Sequence, residues 1–147
     1  QLHDKLMVQG ADLLLQTVQL IEENKTPREK QDDNLSCYAK MLNNDNCRID
    51  WTKSAQDIHN LVRGLNSWPV AYTTLNNKKF KIWQTKVTTG TGNPGQIIKL
   101  TKQSIIVATG EGAIELLEIQ PPNKAKMPAS SYINGHKQEL ENNVSFI

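Results

Sequence analysis

Eleven basic side chains are the residues of this sequence that are best suited to bind a charged ligand. Lys79 and Lys81 alternate with Phe80 and Ile82, a pattern that buries one face of a β-strand and leaves the other face cationic. Clustered lysines on an exposed face suit phosphate groups, because a long stem carries a compact charge that contacts phosphate without reading bases. The candidate phosphate-binding residues are Lys40, Arg48, Lys53, Lys78, Lys79, Lys81, Lys86, Lys99, Lys102, Lys124 and Lys126.

A solvated lysine surface is the alternative interpretation, and the pattern alone leaves both open. Arg48 has a further alternative, because it could pair with Asp50 or with another carboxylate. The distribution of charge along the chain favours a ligand. Residues 1–47 carry five Lys and Arg against eight Asp and Glu, whereas residues 48–147 carry twelve against seven. This asymmetry indicates a polyanionic partner for the second part of the chain.

The three tryptophans are a second candidate, since aromatic rings stack on bases in single-strand binders. Each of Trp51, Trp68 and Trp83 lies beside apolar residues, so we predict that they pack against the helix at 54–65 or within the barrel. His59 follows Ile58 on a predicted helix, and we expect an exposed or partly packed histidine rather than a catalytic one.

Other chemistry has little support in the sequence. No nucleophile, base and orienting acid occur together, so we predict no catalytic residue in this chain. Residues 90–95 spell G-x-G-x-x-G, but a strand pattern follows where the dinucleotide fingerprint requires a helix, which predicts a hairpin loop. Cys37 and Cys47 have no neighbouring ligand at metal spacing. We expect free thiols, with one disulfide as the alternative, and no metal site.

One helix and five strands would position the lysines. Apolar residues at helical spacing predict a helix over 54–65, in which Ser54 and Asp57 form an N-terminal cap. Pro69 cannot continue that helix. The apolar period then changes to two, and it predicts strands at 70–75, 78–88, 96–100, 104–109 and 113–120, with a short helix at 128–137. We therefore predict a mainly β fold with helices, in which a small OB-like β-barrel forms the C-terminal domain.

The segments before this domain differ from it in composition. Leucines at helical spacing predict a helix over 2–22 with a wide apolar stripe that requires cover. Residues 25–47 are polar and predict a linker, residues 48–137 the OB-like domain, and residues 138–147 a tail. Gln1 begins inside a helical pattern, so we expect a fragment of a longer protein. No apolar run approaches the roughly 20 residues of a membrane span, so we expect no membrane partner.

Several segments, taken in order, carry a resemblance to a known family. They are R-I-D-W at 48–51, N-S-W-P-V-A at 66–71, K-I-W-Q-T-K-V at 81–87, P-G-Q-I at 94–97, V-A-T-G-E-G at 107–112 and L-E-I-Q-P-P-N-K-A-K-M at 117–127. Together they resemble the C-terminal domain of methionyl-tRNA formyltransferase. The segment L-H-D-K-L-M-V-Q-G-A-D-L-L at 2–14 resembles the last helix of the catalytic domain of that family.

The resemblance implies a function for a longer parent protein. The parent would transfer a formyl group from 10-formyltetrahydrofolate to the amino group of methionine on initiator tRNA in translation initiation. In that family an Asn-His-Asp set and a folate pocket belong to the N-terminal domain, and the family's His-x-Ser-Leu-Leu-Pro segment has no match here. The resemblance therefore implies an enzyme as the intact parent, with no cofactor bound by this chain, which should be inactive alone.

The same resemblance implies the partners and the compartment. Residues 1–24 would be a remnant helix of the α/β formyltransferase domain. We expect initiator tRNA and the N-terminal catalytic domain as partners, self-association through the helix at 2–22 as a possibility for the fragment, and a cytoplasmic location. Two alternatives stay open: a C-terminal domain of another folate-dependent formyltransferase that acts on a small molecule or sugar, and a general nucleic-acid-binding OB module.

Overall fold

A leucine-rich helix, α1 (Leu2–Glu22), forms most of the first of two units. The computed structural model describes residues 2–141 and 144–147, with one unit ending at Ala39 and the second beginning at Lys40. The predicted helix over 2–22 is confirmed, and its apolar side chains are exposed. Beyond α1 the first unit has a single 3-10 turn, Asp33–Leu35, among its described residues. In this turn the Asp32 carboxylate accepts a hydrogen bond from the Asn34 amide at 3.0 Å.

The second unit is built on a six-stranded antiparallel sheet with the order β1-β2-β5-β4-β3, in which β6 pairs with β5. The mainly β fold with helices is thus confirmed. Strand β6 was not predicted, because two residues are too few to show an alternating pattern. The strands are β1 (Ala71–Leu75), β2 (Lys78–Thr88), β3 (Ile97–Leu100), β4 (Ile105–Ala108), β5 (Ala113–Gln120) and β6 (Met127–Pro128).

Helix α2 (Ala55–Leu65) begins where the sequence predicts it. The Ser54 hydroxyl accepts a hydrogen bond from the Asp57 amide at 3.1 Å and donates one to the Asp57 carboxylate at 2.7 Å. This reciprocal cap satisfies a free N–H group and places a negative charge at the positive end of the helix. The buried side chains of α2 are Ala55, Ile58, Val62 and Leu65. They join the core of the sheet, whose largest buried side chains include Ile82, Ile105, Ile114, Leu116 and Ile119.

The last four residues connect the two edges of the sheet. The Phe146 amide donates to the Gly95 carbonyl at 2.8 Å beside β3, and Thr74 on β1 exchanges two backbone hydrogen bonds of 2.9 Å with Ile147. Gly95 is required here, because its φ is +85° and a Cβ atom would collide with the Phe146 carbonyl. The third glycine of the G-x-G-x-x-G segment is therefore needed for the contact that closes the sheet. The segment is followed by strand β3 and not by a helix.

Where a tail was expected at 138–147, the structure shows ordered packing on both sides of residues 142 and 143, which lie outside the described residues. Helix α3 (Ala129–Glu141) continues past residue 137 with a backbone kink at His136, and Leu140 on its last turn is buried. Phe146 is 3% exposed, and its ring centre lies 5.7 Å from that of Trp51. Burial of these apolar side chains stabilises the packed terminal segment. The polar residues around them led to the prediction of a tail.

Of the helices described, none is both long enough and apolar enough to cross a membrane.

Candidate nucleic-acid interface

Four lysines occupy outward positions of the sheet, and we call this set the lysine face: Lys79, Lys81, Lys86 and Lys99. Their outward orientation follows from the side-chain alternation of strands. On β2 the intervening Phe80 and Ile82 are 2% and 0% exposed, respectively. The predicted alternation of a buried and a cationic face is therefore present on this strand.

Lys79 and Lys81 lie next to the aromatic ring of Tyr72. The Lys79 ammonium group is 3.7 Å from the centre of that ring, and Lys81 is the register partner of Tyr72 across β1 and β2. A cation over a ring keeps its charge, since the ring offers no formal negative charge to neutralise it. The contact orients Lys79 while its charge stays available for a ligand.

Lys86 and Lys99 belong to one row of outward residues that crosses four strands. Lys86 is the partner of Glu115, Glu115 is the partner of Ile106, and Ile106 is the partner of Lys99. Three strand spacings separate the two lysine backbones by about 14 Å. Glu115 lies between them and accepts a hydrogen bond from the Ser104 hydroxyl at 3.0 Å. This row therefore alternates in charge, unlike the Lys79 and Lys81 end of the face.

Lys126 differs from the other candidates, because a carboxylate binds it. Its ammonium group lies 2.8 Å from the Glu118 carboxylate and 5.4 Å from the centre of the Trp83 ring. The Trp83 indole N–H donates to the Gln120 side-chain oxygen at 3.2 Å. The Gln120 amide donates in turn to the Lys124 carbonyl at 3.0 Å, so the turn that carries Lys124 is fixed to the outward side of β5. Gln120 is also the register partner of Lys81.

The structure places the other candidates outside this surface. Lys78 follows the Asn76–Asn77 turn, whose Asn76 amide donates to Glu139 on α3 at 3.0 Å. Lys102 occupies the turn between β3 and β4, Lys53 the turn before α2, and Lys40 the beginning of the second unit. All of these are exposed.

Arg48 lines a shallow groove of about 570 Å³ with Asp50, Trp51 and the terminal segment. The side-chain hydroxyl and then the amide of Thr52 bind the Asp50 carboxylate and lower its pKa. The carboxylate consequently stays charged beside Arg48, which makes the groove mixed in charge. Arg48 is also the β-bridge partner of Tyr72, so the groove adjoins the Lys79 and Lys81 end of the lysine face.

Within the described ranges, 2–141 and 144–147, five candidates have a stabilising partner or a neighbouring acid. Lys126 forms an ion pair and Lys79 a ring contact, whereas Lys86 has Glu115 as its register partner. Arg48 shares a groove with Asp50, and the charge of Lys53 also acts on the Asp50 carboxylate. An ammonium group without a carboxylate is solvated and free to contact phosphate. Among the described residues of the lysine face, such groups occur at Lys79, Lys81 and Lys99.

The tryptophans divide into three environments. Trp51 is buried as predicted, 5% exposed, and its indole N–H donates to the Thr73 hydroxyl at 2.9 Å. Trp83 is half-buried under Lys126. The prediction for Trp68 is wrong, because this side chain is 78% exposed. A helix that continued would place position 68 on the same side as the buried residues of α2. Helix α2 ends at Leu65, however, and helical periodicity does not apply to the loop that follows.

The contacts of the histidines and cysteines do not suggest a functional site. His59 Nδ1 lies 2.9 Å from the Thr85 hydroxyl, and burial, followed by the charge of Arg63, lowers the pKa of His59. His136 stacks on Tyr132 with ring centres 4.1 Å apart. Cys37 and Cys47 are free thiols, the first exposed and the second buried. No group of three possible metal ligands occurs in the part of the chain that the structure describes.

The arrangement of this second unit matches a known family. Residues 41–137 match the model of the formyl transferase C-terminal domain. The chain belongs to this family. The match covers the sheet, α2 and the first part of α3, and therefore includes the whole lysine face of this formyl transferase C-terminal domain.

Several curated relatives of the domain carry the same name. A methionyl-tRNA formyltransferase of Streptococcus mutans is 44% identical over 138 residues, which are 94% of this chain and 44% of the relative. One from Staphylococcus epidermidis is 45% identical over 145 residues, which are 97% of this chain and 47% of the relative. The resemblance to methionyl-tRNA formyltransferase is thereby confirmed. The chain spans less than half the length of these relatives.

Solved structures share the fold of the domain at low identity. The crystal structure of HypX from Aquifex aeolicus in complex with tetrahydrofolic acid has a TM-score of 0.62 and 17% identity, and the match covers 85% of this chain and 22% of HypX. A variant of the same protein gives a TM-score of 0.64 and 15% identity, with 86% of this chain and 23% of the variant covered. At this identity the likeness supports the fold alone.

Proposed function

We propose that this domain holds initiator methionyl-tRNA by its phosphate backbone while a separate formyltransferase domain carries out formyl transfer. The observation that carries the proposal is the outward placement of Lys79 and Lys81 on one strand, beside β5 and the turn of Lys124. Ammonium groups displace the counterions of a nucleic acid, which gives affinity with little base recognition. The name of the relatives supports tRNA as the polyanion.

In this proposal the domain contributes position rather than chemistry. Binding energy far from the reacting amine orients the aminoacyl end, which raises the rate without a catalytic group in this chain. 10-Formyltetrahydrofolate would be the substrate of the other domain, and the chain alone would be inactive. His59 and His136 are both engaged in structural contacts, which is consistent with chemistry elsewhere. A tRNA partner is consistent with a cytoplasmic location.

The exposed apolar stripe of α1 supports a second partner. Leu13 and Leu14 are 63% and 65% exposed, and the described part of α1 has no buried residue. An apolar surface of this kind marks a contact with another protein surface. We assign it to the formyltransferase domain. The alternative occupant of this stripe is a second copy of the chain. Sedimentation would then show a dimer for the wild-type chain and a monomer for Leu13→Glu.

The salt dependence of tRNA binding tests the lysine assignment. The triple variant Lys79→Gln, Lys81→Gln, Lys99→Gln, whose three positions all belong to the lysine face, should flatten the slope of log Kd against log salt by about 2–3, since each lost phosphate contact removes about 0.7–0.9. The control is Lys5→Gln, Lys25→Gln, Lys30→Gln, which makes the same change in net charge in the first unit. That control should keep the wild-type slope.

Three outcomes would contradict the proposal. Equal slopes for the two triple variants would mean that net charge, and not the lysine face, governs binding. An absence of tRNA binding at low salt would favour a formyltransferase that acts on a small molecule or sugar. Equal affinity for tRNA and for any unstructured oligonucleotide would favour a general nucleic-acid-binding module.

A further inference from the structure

The most exposed tryptophan lies on the loop between α2 and β1. Trp68 is 78% exposed, compared with 5% for Trp51. Tryptophan is highly buried on average in folded proteins, so an indole presented to solvent is an informative exception. A single exposed apolar side chain is nevertheless common, and the loop and its surroundings must decide whether this one has a role.

The loop that carries Trp68 is fixed at both ends. The Asn66 side-chain amide donates to the Trp83 carbonyl on β2 at 2.8 Å, and the Val70 amide donates to the Leu65 carbonyl at 2.9 Å. Val70 has a φ of +75°, in the left-handed region that β-branched residues rarely adopt. A backbone held in that region requires surroundings that determine it, and such residues concentrate at ligand-binding segments. The indole is therefore presented from an ordered loop.

The anchor of the loop lies on the cationic part of the sheet. Asn66 bonds the backbone of Trp83, whose ring lies below Lys126 and bonds Gln120. Gln120 pairs in register with Lys81 and holds the carbonyl of Lys124. Only Ser67 separates Trp68 from Asn66 in the sequence, which limits the distance between their Cα atoms to about 7 Å. The loop that presents the exposed indole is consequently anchored to β2 at Trp83, two residues along the strand from Lys81.

We propose that Trp68 stacks on an unpaired nucleobase of the bound RNA, with Lys81 and Lys124 on the flanking phosphates. This inference rests on the proposed function. Stacking on an aromatic ring accepts any base, because every base has a π face, and cationic neighbours suit the phosphates on either side. Lys79 and Lys81 on the strand that anchors the loop favour a nucleic acid over an apolar protein surface as the occupant.

Binding measurements with Trp68→Leu test the inference. The probes are tRNA, a single-stranded oligouridine RNA and a blunt-ended RNA duplex. Loss of one stacked base should raise Kd for tRNA and for oligouridine about 5- to 100-fold. The duplex offers no unpaired base and should bind as before. The salt slope should not change, because stacking releases no counterions. Trp68→Phe keeps a ring and should restore most of the affinity.

A matched control and a spectroscopic signal separate this role from a general surface effect. Tyr38 is 88% exposed in the first unit, and Tyr38→Leu should bind all three probes as the wild type does. Oligouridine should quench tryptophan fluorescence of the wild type more strongly than that of Trp68→Leu, because Trp51 is buried and Trp83 is half-buried. Circular dichroism should be the same for both proteins, since the replaced side chain is exposed.

The outcomes distinguish failure of the inference from failure of the proposed function. Wild-type affinity and quenching in Trp68→Leu, together with a reduced slope in the lysine triple variant, would overturn stacking alone. Equal weakening of duplex and oligouridine binding would also overturn it, because no unpaired base would then be involved. A wild-type chain that binds no RNA would overturn both.

Discussion

Lys126 and Glu118 form an ion pair beside the β5–β6 turn, with the lysine nitrogen 2.8 Å from a carboxylate oxygen. The side chains are 47% and 34% exposed, respectively, so solvent screens the pair and its contribution to stability is small. Its consequence for binding is larger. A lysine that already neutralises a carboxylate adds less to counterion release than a free one.

Release of Lys126 should therefore strengthen tRNA binding. Glu118→Gln is expected to steepen the slope of log Kd against log salt by up to about 0.9, because one more ammonium group becomes available for phosphate. Glu141→Gln is the control, since it releases Lys137 from a 3.6 Å pair on α3 with the same change in net charge. Fluorescence titrations at several salt concentrations would measure both slopes. Identical steepening in the two variants would show that Lys126 has no special place in the interface.

A second prediction concerns the buried hydroxyl of Thr73. This hydroxyl accepts the Trp51 indole N–H at 2.9 Å and donates to the Ile147 carbonyl at 3.0 Å. Thr73→Val keeps the shape of the side chain but leaves a buried donor without a partner. We expect the free energy of unfolding to fall by about 1–3 kcal/mol, measured by urea unfolding followed by circular dichroism.

The adjacent threonine provides the control for this prediction. Thr74 donates to the same Ile147 carbonyl at 2.8 Å, but its side chain is only partly buried and holds no indole. Thr74→Val should cost less than about 0.5 kcal/mol, as substitutions at partly solvated sites usually do. Equal losses in the two variants would mean that the bond to Ile147, and not the indole, determines the effect.

His59 should make stability depend on pH. Burial and the Arg63 charge lower the pKa of His59 below its ordinary value of 6.5 in the folded chain. Just below pH 6.5 the unfolded chain therefore binds more protons than the folded chain. The contribution of His59 is fully present above that pH and is lost as the pH falls toward the lowered pKa. Urea unfolding between about pH 7.5 and about pH 5.5 should show a steeper loss for the wild type than for His59→Gln. Parallel curves would contradict this.

Local sequence patterns predicted most of the helices and strands correctly, but they predicted the environment of individual side chains less well. The predicted strand at 78–88 agrees with β2, and the predicted cap of α2 agrees with the observed bonds of Ser54. Both depend on residues that are neighbours in sequence. The prediction for Trp68 was wrong because its environment depends on where α2 ends and on the bond from Asn66 to Trp83. Side-chain period carries no information about such a contact.

The candidate site shows the same limit. Alternation predicted that Lys79 and Lys81 point outward, and β2 has this alternation. The pairing of Lys126 with Glu118 depends on the conformation of the β5–β6 turn, and that of Lys86 with Glu115 depends on the register of two strands that are far apart in sequence. Residues 144–147 connect the two edges of the sheet only because the β1 edge and the β3 edge both bond to this one segment. Register and closure arise from the packed core, which a pattern of single residues does not specify.

The glycines at positions 95 and 64 should respond in opposite directions to the same substitution. Gly95→Ala would force a Cβ atom against the Phe146 carbonyl at a φ of +85°, so the bond that joins the terminal segment to the β3 edge must lengthen or break. We expect a loss of more than about 1 kcal/mol in the free energy of unfolding, because both strain and a hydrogen bond are involved.

Gly64 lies in α2, where a methyl group on its Cα atom would have no described neighbour within 4 Å outside the helix's own nearby backbone. Gly64→Ala should therefore add about 0.5–1 kcal/mol to the free energy of unfolding, because it reduces the backbone entropy of the unfolded chain. Thermal and urea unfolding would compare the two variants with the wild type. Equal stability of Gly95→Ala and the wild type would mean that residues 144–147 do not close the sheet.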